Sequence, residues 1–144
     1  MVGMARSEIN SIVLVKPLTY MNRSGEVLRA ILSRANLSWE NLLVICDTLD
    51  LPCGQCKLKK RGSSAGHRGL ASVLQHAETD EIMRLYVGIG RPNESQGILD
   101  YVLGIPSQEE QLELDRAIKR SGDSILSLLY RSPEQVMNEF NQKK

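Results

Sequence analysis

The chain has 144 residues, 42% of them hydrophobic, enough to bury one core and too few to expect two. Eighteen Lys and Arg stand against seventeen Asp and Glu, a net charge of +1, so no global field draws the protein to nucleic acid or membrane and any RNA contact needs a local patch. No apolar run approaches the roughly 20 residues of a membrane helix, and residues 1–10 hold no signal-peptide core, so a cytoplasmic protein without membrane contact is expected.

Ile12, Val13, Leu14 and Val15 form a short β-branched run stopped by Lys16-Pro17, which suits a buried strand. From Ser24, Val27, Leu28, Ile31, Leu32 and Ala35 recur at helical spacing, and Asn36 ends the segment. Leu42, Leu43, Val44 and Ile45 read as a second buried strand, closed by the turn-rich residues 46–55, with Lys57 to Lys60 as a short exposed strand. A glycine-rich stretch, residues 61–69, feeds a helix carrying Leu70, Val73, Leu74 and Ala77. Residues 85–90 make a third strong strand, ended by Arg91-Pro92-Asn93. Ser107 with Glu110 is a capping-box signature opening a long helix with a stripe of Leu114, Ala117, Ile118, Ile125 and Leu129, and Ser132-Pro133 starts a last short helix with Val136, Met137 and Phe140. Strands alternating with helices argue for an α/β sandwich.

Several residues could carry chemistry. Backbone N–H groups of the glycine stretch at a helix N-terminus suit a phosphate or a developing anion, although a plain strand-to-helix turn has the same composition. His67-Arg68-Gly69 stands where a P-loop needs Gly-Lys-Ser/Thr, which disfavours nucleoside triphosphates. Asp47 and Asp50 lie where a strand runs out into a loop, the usual place for functional carboxylates in α/β sheets and equally that of an Asx turn. His67, among glycines, is expected to have an exposed ring, and His76 to be a solvated surface residue. No serine sits in a G-x-S-x-G elbow, and nothing in the sequence sets a base against Cys46. Cys53 and Cys56 have C-x-x-C spacing that Cys46 and His67 could complete, but zinc sites usually show two close pairs, so no metal is expected and Cys46 is read as a half-buried strand end.

Five motifs in order then point to one family. Lys16-Pro17-Leu18-Thr19-Tyr20-Met21-Asn22-Arg23-Ser24-Gly25 is similar to K-P-x-T-[FY]-M-N-x-S-G of the bacterial-type peptidyl-tRNA hydrolases. Asp47-Thr48-Leu49-Asp50-Leu51-Pro52-Cys53-Gly54 resembles their D-x-L-D-L-P-x-G, and residues 62–69 their G-G-x-x-G-H-N-G. Residues 84–92 resemble R-L-R-V-G-I-G-R-P, and Tyr101-Val102-Leu103-Gly104 the later F-V-L-G.

The resemblance implies hydrolysis of the ester between a peptide, or N-blocked amino acid, and the 3′ ribose of tRNA, recycling tRNA in translation without metal or cofactor. It implies a single α/β domain over 1–144, a three-layer sandwich whose central mixed, mostly parallel sheet is flanked by helices, acting as a monomer. It also implies catalytic roles for Asn22, Asp47 and His67: Asn22 holding the peptide and the oxyanion, Asp47 orienting the base, and His67 lining the site near the 3′ end. Tyr20, Asn22, Gly66, His67 and Arg68 would bind substrate, and Lys57, Lys59 and Arg84 would bind tRNA. Three departures stand out. The family's first strand, its G-L-G-N-P-G turn and the Y-x-x-T-R-H-N-x-G motif holding the general-base histidine do not occur before Ile12, so the domain is read as amino-terminally incomplete. Arg68 replaces an asparagine, and Tyr86 an arginine that would pair with Lys59 on phosphate. The alternative is a non-catalytic RNA-binding module that has lost its base.

Overall fold

Each strand and helix of such a chain has one apolar face, and covering those faces arranges the elements. The computed structural model describes residues 2–6 and 11–142; the remaining residues of the stretch read above as free of a signal peptide lie outside the described residues. The elements run β1 (Val2–Arg6), β2 (Ser11–Val15), α1 (Ser24–Ala35), β3 (Leu43–Thr48), β4 (Cys56–Lys59), α2 (Arg68–Ala77), β5 (Met83–Gly88), α3 (Ile98–Val102), α4 (Gln108–Ser127) and α5 (Pro133–Gln142), with 3-10 turns at Met21–Arg23 and Trp39–Asn41. The fold is α/β with a mixed sheet and flanking helices. The chain divides into two compact units, residues 1–44 with 60–83, and residues 45–59 with 84–144.

In the first unit β1 and β2 pair antiparallel, from Val2 opposite Val15 to Arg6 opposite Ser11. β2 is half-buried rather than buried, with Leu14 55% exposed, because β1 is its only strand partner among the described residues. Leu28 of α1, Val73 of α2 and Ile82 form the buried core, with Val15, Trp39, Leu42, Val44, Leu74 and Ala77 packed against it. Asn36 ends α1 in the left-handed region at φ 54°. Its N–H donates to the Ser33 carbonyl at 3.2 Å and that of Leu37 to the Leu32 carbonyl at 2.9 Å, a Schellman closure.

Helix α1 meets α2 at a point of backbone contact. The Gly25 N–H donates to Ser72 Oγ at 3.0 Å, and a methyl group on Gly25 would lie 2.7 Å from His76 Nδ1 and closer still to the Ser72 carbonyl oxygen. His76 is therefore no solvated surface residue: its ring is part-buried, with Nδ1 2.8 Å from the Ser72 carbonyl.

In the second unit the strands lie in the order β3-β5-β4. β5 is central and almost wholly buried, as a strand with neighbours on both sides should be. β4 runs antiparallel to it, with Cys56 opposite Val87, Lys57 opposite Tyr86, Leu58 opposite Leu85 and Lys59 opposite Arg84. β4 alternates cleanly, Cys56 and Leu58 inward and Lys57 and Lys59 outward. Its open edge is met by α5: Asn141 Oδ1 accepts from the Leu58 N–H and Asn141 Nδ2 donates to the Leu58 carbonyl, both at 2.9 Å. The Ser107/Glu110 capping box opens α4 as the sequence indicated. The buried stripe of α4, however, is Ala117, Ser121 and Ser124, while Ile118 is exposed. Cys56 Sγ lies 3.9 Å from the Ala117 carbonyl and 3.5 Å from Ser121 Oγ, and only small residues allow so close an approach of helix to strand.

The strand limits differ from expectation at their polar ends. β3 continues through Cys46 and Asp47 to Thr48, so Cys46 is interior to the strand and buried, while Ile45 faces out. β5 stops at Gly88 rather than residue 90.

Asn141→Ala should lower the unfolding free energy by about 1–3 kcal/mol, since it strips both partners from the buried Leu58 backbone, read as a lower urea midpoint at unchanged slope. Gly25→Ala should cost roughly 1–3 kcal/mol by overpacking; an unchanged midpoint would mean that α1 and α2 do not approach here.

Candidate active site

The glycine stretch builds the site from its backbone. Ala65 and Gly66 both take positive φ, 48° and 82°, and the His67 N–H closes the turn on the Ser64 carbonyl at 2.9 Å, the φ pattern of a type I′ turn. Glycine relieves the second position, while Ala65 carries mild strain at the first. The turn delivers His67 to the N-cap of α2, where ring Nδ1 accepts the Leu70 N–H at 3.1 Å. His67 is thus part-buried and fixed, not the exposed ring expected. A backbone N–H only donates, so Nδ1 is the unprotonated nitrogen and Nε2 carries the proton. His67 therefore presents a hydrogen-bond donor.

The segment with Tyr20 and Asn22 comes to the same end of α2. The 3-10 turn Met21–Arg23 packs on that helix, and a methyl on Gly69 would lie 2.5 Å from Met21 Sδ and 3.0 Å from His67 Cε1. A larger residue at 69 would have to displace the flexible Met21 side chain, which lies beside the His67 ring. Asn22 is exposed, as are Gly66 and Arg68 at the start of α2. The first unit thus carries Gly66, His67 and Arg68 at the start of α2 and, in the segment packed on that helix, Tyr20 and Asn22; a helix N-terminus favours negative charge.

The second unit carries the others. Asp47 is half-buried near the end of β3. Asp50 is tied to Arg91 by an ion pair at 2.5 Å, a structural use of the second motif aspartate. Burial pushes the Cys46 thiol up to about 11, and the Asp47 carboxylate adds to the shift, so at neutral pH Cys46 is no nucleophile. Cys53 points at the Glu110 carbonyl at 3.7 Å, and its thiol too is raised, by burial first and then by Glu110. Cys56 packs on α4 as described. Among the described residues no group of three or more His, Cys, Asp or Glu side chains gathers as ligands would.

One expected RNA contact is corrected. Arg84 is 0% exposed and cannot touch a phosphate, because it lies on the central strand opposite Lys59 and beside Cys46. Lys57 and Lys59 do stand out from β4, and the Lys59 ammonium lies over the Tyr86 ring, 5.9 Å from its centroid. Sequence reasoning also passed over Leu18 and Thr19, which line an open groove with Tyr20 and Arg23. The signal was there: three large apolar or aromatic side chains between Pro17 and Asn22, in a segment with no helical or strand period.

The family model for peptidyl-tRNA hydrolase matches residues 1–144. The peptidyl-tRNA hydrolases of Bacillus licheniformis and Bacillus subtilis are each 45% identical over 132 residues, covering 92% of this chain and 70% of theirs. That of Listeria monocytogenes is 40% identical over 131 residues, 91% of this chain and 70% of its own. The crystal structure of peptidyl-tRNA hydrolase from Acinetobacter baumannii superposes with a TM-score of 0.88 at 31% identity, over 97% of this chain and 71% of that one. The chain belongs to the peptidyl-tRNA hydrolase family.

Proposed function

We propose that this chain carries the peptide- and RNA-binding face of an esterase that cleaves peptidyl-tRNA in the cytoplasm, as a monomer and without a cofactor. The observation that supports the reading most is the 3-10 turn that carries the exposed Asn22, packed on the helix that His67 N-caps. The reaction adds water across the ester: water oxygen bonds to the carbonyl carbon, the bond to the ribose 3′ oxygen breaks, and the water's protons end on the ribose hydroxyl and the peptide carboxyl. Charge develops on the carbonyl oxygen, where an amide N–H and a helix N-terminus are worth most. Asn22 supplies the amide, and His67, with its proton on Nε2, donates to the substrate's sugar or carbonyl oxygens. Tyr20, Gly66 and Arg68 border the bound acyl group and the 3′ nucleotide.

Neither histidine of the chain suits the role of base. His67 Nδ1 is occupied by the Leu70 N–H, and His76 Nδ1 faces the Ser72 carbonyl at the α1–α2 contact. The proton acceptor in this reading is the histidine of the family's R-H-N motif, with the Asp47 carboxylate as its orienting partner. Lys57 and Lys59 grip tRNA phosphate. Tyr86 adds no second cation to Lys59 but holds its ammonium over the ring face, a contact worth about 0.5–1 kcal/mol when exposed.

Filter binding to tRNA at graded salt tests the RNA face. Lys59→Ala should weaken binding uniformly across tRNAs and shallow the salt dependence by about one phosphate contact, whereas Arg84→Ala should reduce stability and leave that slope unchanged. A slope unaltered by Lys59→Ala would remove β4 from the RNA path. For the chemistry, residues 1–144 should release N-acetylated amino acid at about 10²–10⁴-fold below a form supplied with the R-H-N segment, the usual loss with an absent base. Rescue by that segment should depend on Asn22 and Asp47. Robust turnover by residues 1–144, abolished by His67→Ala, would show that His67 is the base and that the roles above are wrong.

A further inference from the structure

The side chains of Ile98, Leu99, Val102, Leu103 and Ile105 all stand in solvent, Leu103 75% and Ile105 98% exposed. They belong to α3 and the residues just after it, and α3 buries no residue of its own. A helix this short closes too few hydrogen bonds to persist alone. Its backbone bonds run within the span: Tyr101 N–H to the Gly97 carbonyl at 3.0 Å, Leu103 N–H to that of Leu99 at 3.0 Å and Gly104 N–H to that of Tyr101 at 3.1 Å. Tyr101 is the one residue of α3 that is not exposed, and its hydroxyl donates to the Ile89 carbonyl at 2.5 Å. The same hydroxyl lies over Gly90, where an added methyl would come within 3.2 Å of it.

Ile89 is itself held by the strand ends. It follows β5, and its N–H donates to the Thr48 carbonyl at the end of β3 at 3.0 Å, while the next N–H, of Gly90, donates to the Leu51 carbonyl at 3.0 Å. Tyr101 thus fastens a weak span to backbone that the sheet fixes, at the strand end that carries Asp47. Burial first, and then Glu110 and Cys53, push the Tyr101 hydroxyl above its ordinary range, so it stays protonated and a donor at neutral pH. In the F-V-L-G motif that residues 101–104 resemble, phenylalanine stands at this place and has no hydroxyl to donate. We propose that Tyr101 is a latch: its hydroxyl keeps the apolar span 98–105 seated against the end of β5, and losing that bond lets the span open while the sheet stays closed. The latch belongs to this chain's own sequence and stands whether or not the peptidyl-tRNA reading holds.

Hydrogen exchange of residues 1–144, read peptide by peptide with mass spectrometry, tests the latch. Tyr101→Phe is the variant because it removes the hydroxyl and keeps the ring. Amides of the span 98–104 should exchange about three- to tenfold faster in Tyr101→Phe, the weight of one net hydrogen bond in a local opening, with β3, β5 and α4 unchanged. Leu103→Ser, at an exposed position, should leave the span's protection as it is. Equal exchange of the span in Tyr101→Phe and the starting protein, or a span with no protection to lose, overturns the proposal. So does faster exchange spread equally over β3 and β5, which would make Tyr101 a support of the whole unit. Loosening by Leu103→Ser as large as that by Tyr101→Phe overturns it too, because apolar packing rather than the hydroxyl would then be the fastening.

Discussion

At Gly25 the backbone of α1 lies against that of α2, its N–H bonded to Ser72 Oγ and its Cα facing the Ser72 carbonyl and the His76 ring. Much of the first unit follows from this approach. It brings Leu28 onto Val73 and Ile82, so the core closes directly behind the contact. It also fixes the start of α1 in space, and with it the 3-10 turn of Met21–Arg23. Asn22 is a short-range consequence of a long-range contact: three residues before the glycine, it can only appear near the mouth of α2. The Met21 Sδ contact over Gly69 supplies the second point of the same clamp. Two glycines, one in each helix, lie where α1 and the 3-10 turn meet α2.

The second unit answers a different constraint. β4 carries two outward lysines, and a strand edge with free N–H and C=O groups invites pairing with another chain. The Asn141 side chain resolves that hazard by acting as a one-residue strand, accepting from and donating to Leu58. The lysines thus stand outward on a strand whose edge is closed at Leu58, and their charge discourages edge-to-edge association. Tyr86, opposite Lys57, is buried, and the Lys59 ammonium lies over its ring.

Periodicity made most of this legible before any coordinates. The limits of α1 at Ser24 and Asn36, the capping box of α4 and the start of α5 were all written in residue types that have few other uses. What failed did so for physical reasons. Ile118 was assigned to the stripe of α4 because a stripe is expected to be large, whereas Cys56 approaches so near that only Ala117, Ser121 and Ser124 fit. Arg84 is an expected RNA contact on the resemblance alone, and only the central position of β5 shows that it is buried. β3 was cut short at its first polar residues, although hydrogen bonding carries a strand past the end of its apolar run. α3, at five residues, is too short to show a period. For the site, motif resemblance brought Asn22, Asp47 and His67 forward, but it could not tell which nitrogen of His67 caps α2.

That nitrogen decides what kind of residue His67 is. The chain's two histidines use the same ring atom in opposite ways: His67 Nδ1 receives a backbone N–H, and His76 Nδ1 meets a backbone carbonyl. A carbonyl accepts only, so His76 must hold its proton on Nδ1, while His67 must hold it on Nε2. To act as a base through Nδ1, His67 would have to surrender the Leu70 bond that caps α2, a cap worth about 0.5–2 kcal/mol. To act through Nε2 it would first have to move its proton to the capped nitrogen, at the same cost. Either route undoes the turn that places the ring. The local backbone therefore fixes the tautomer of His67, with Nδ1 accepting the cap of α2 and the proton on Nε2.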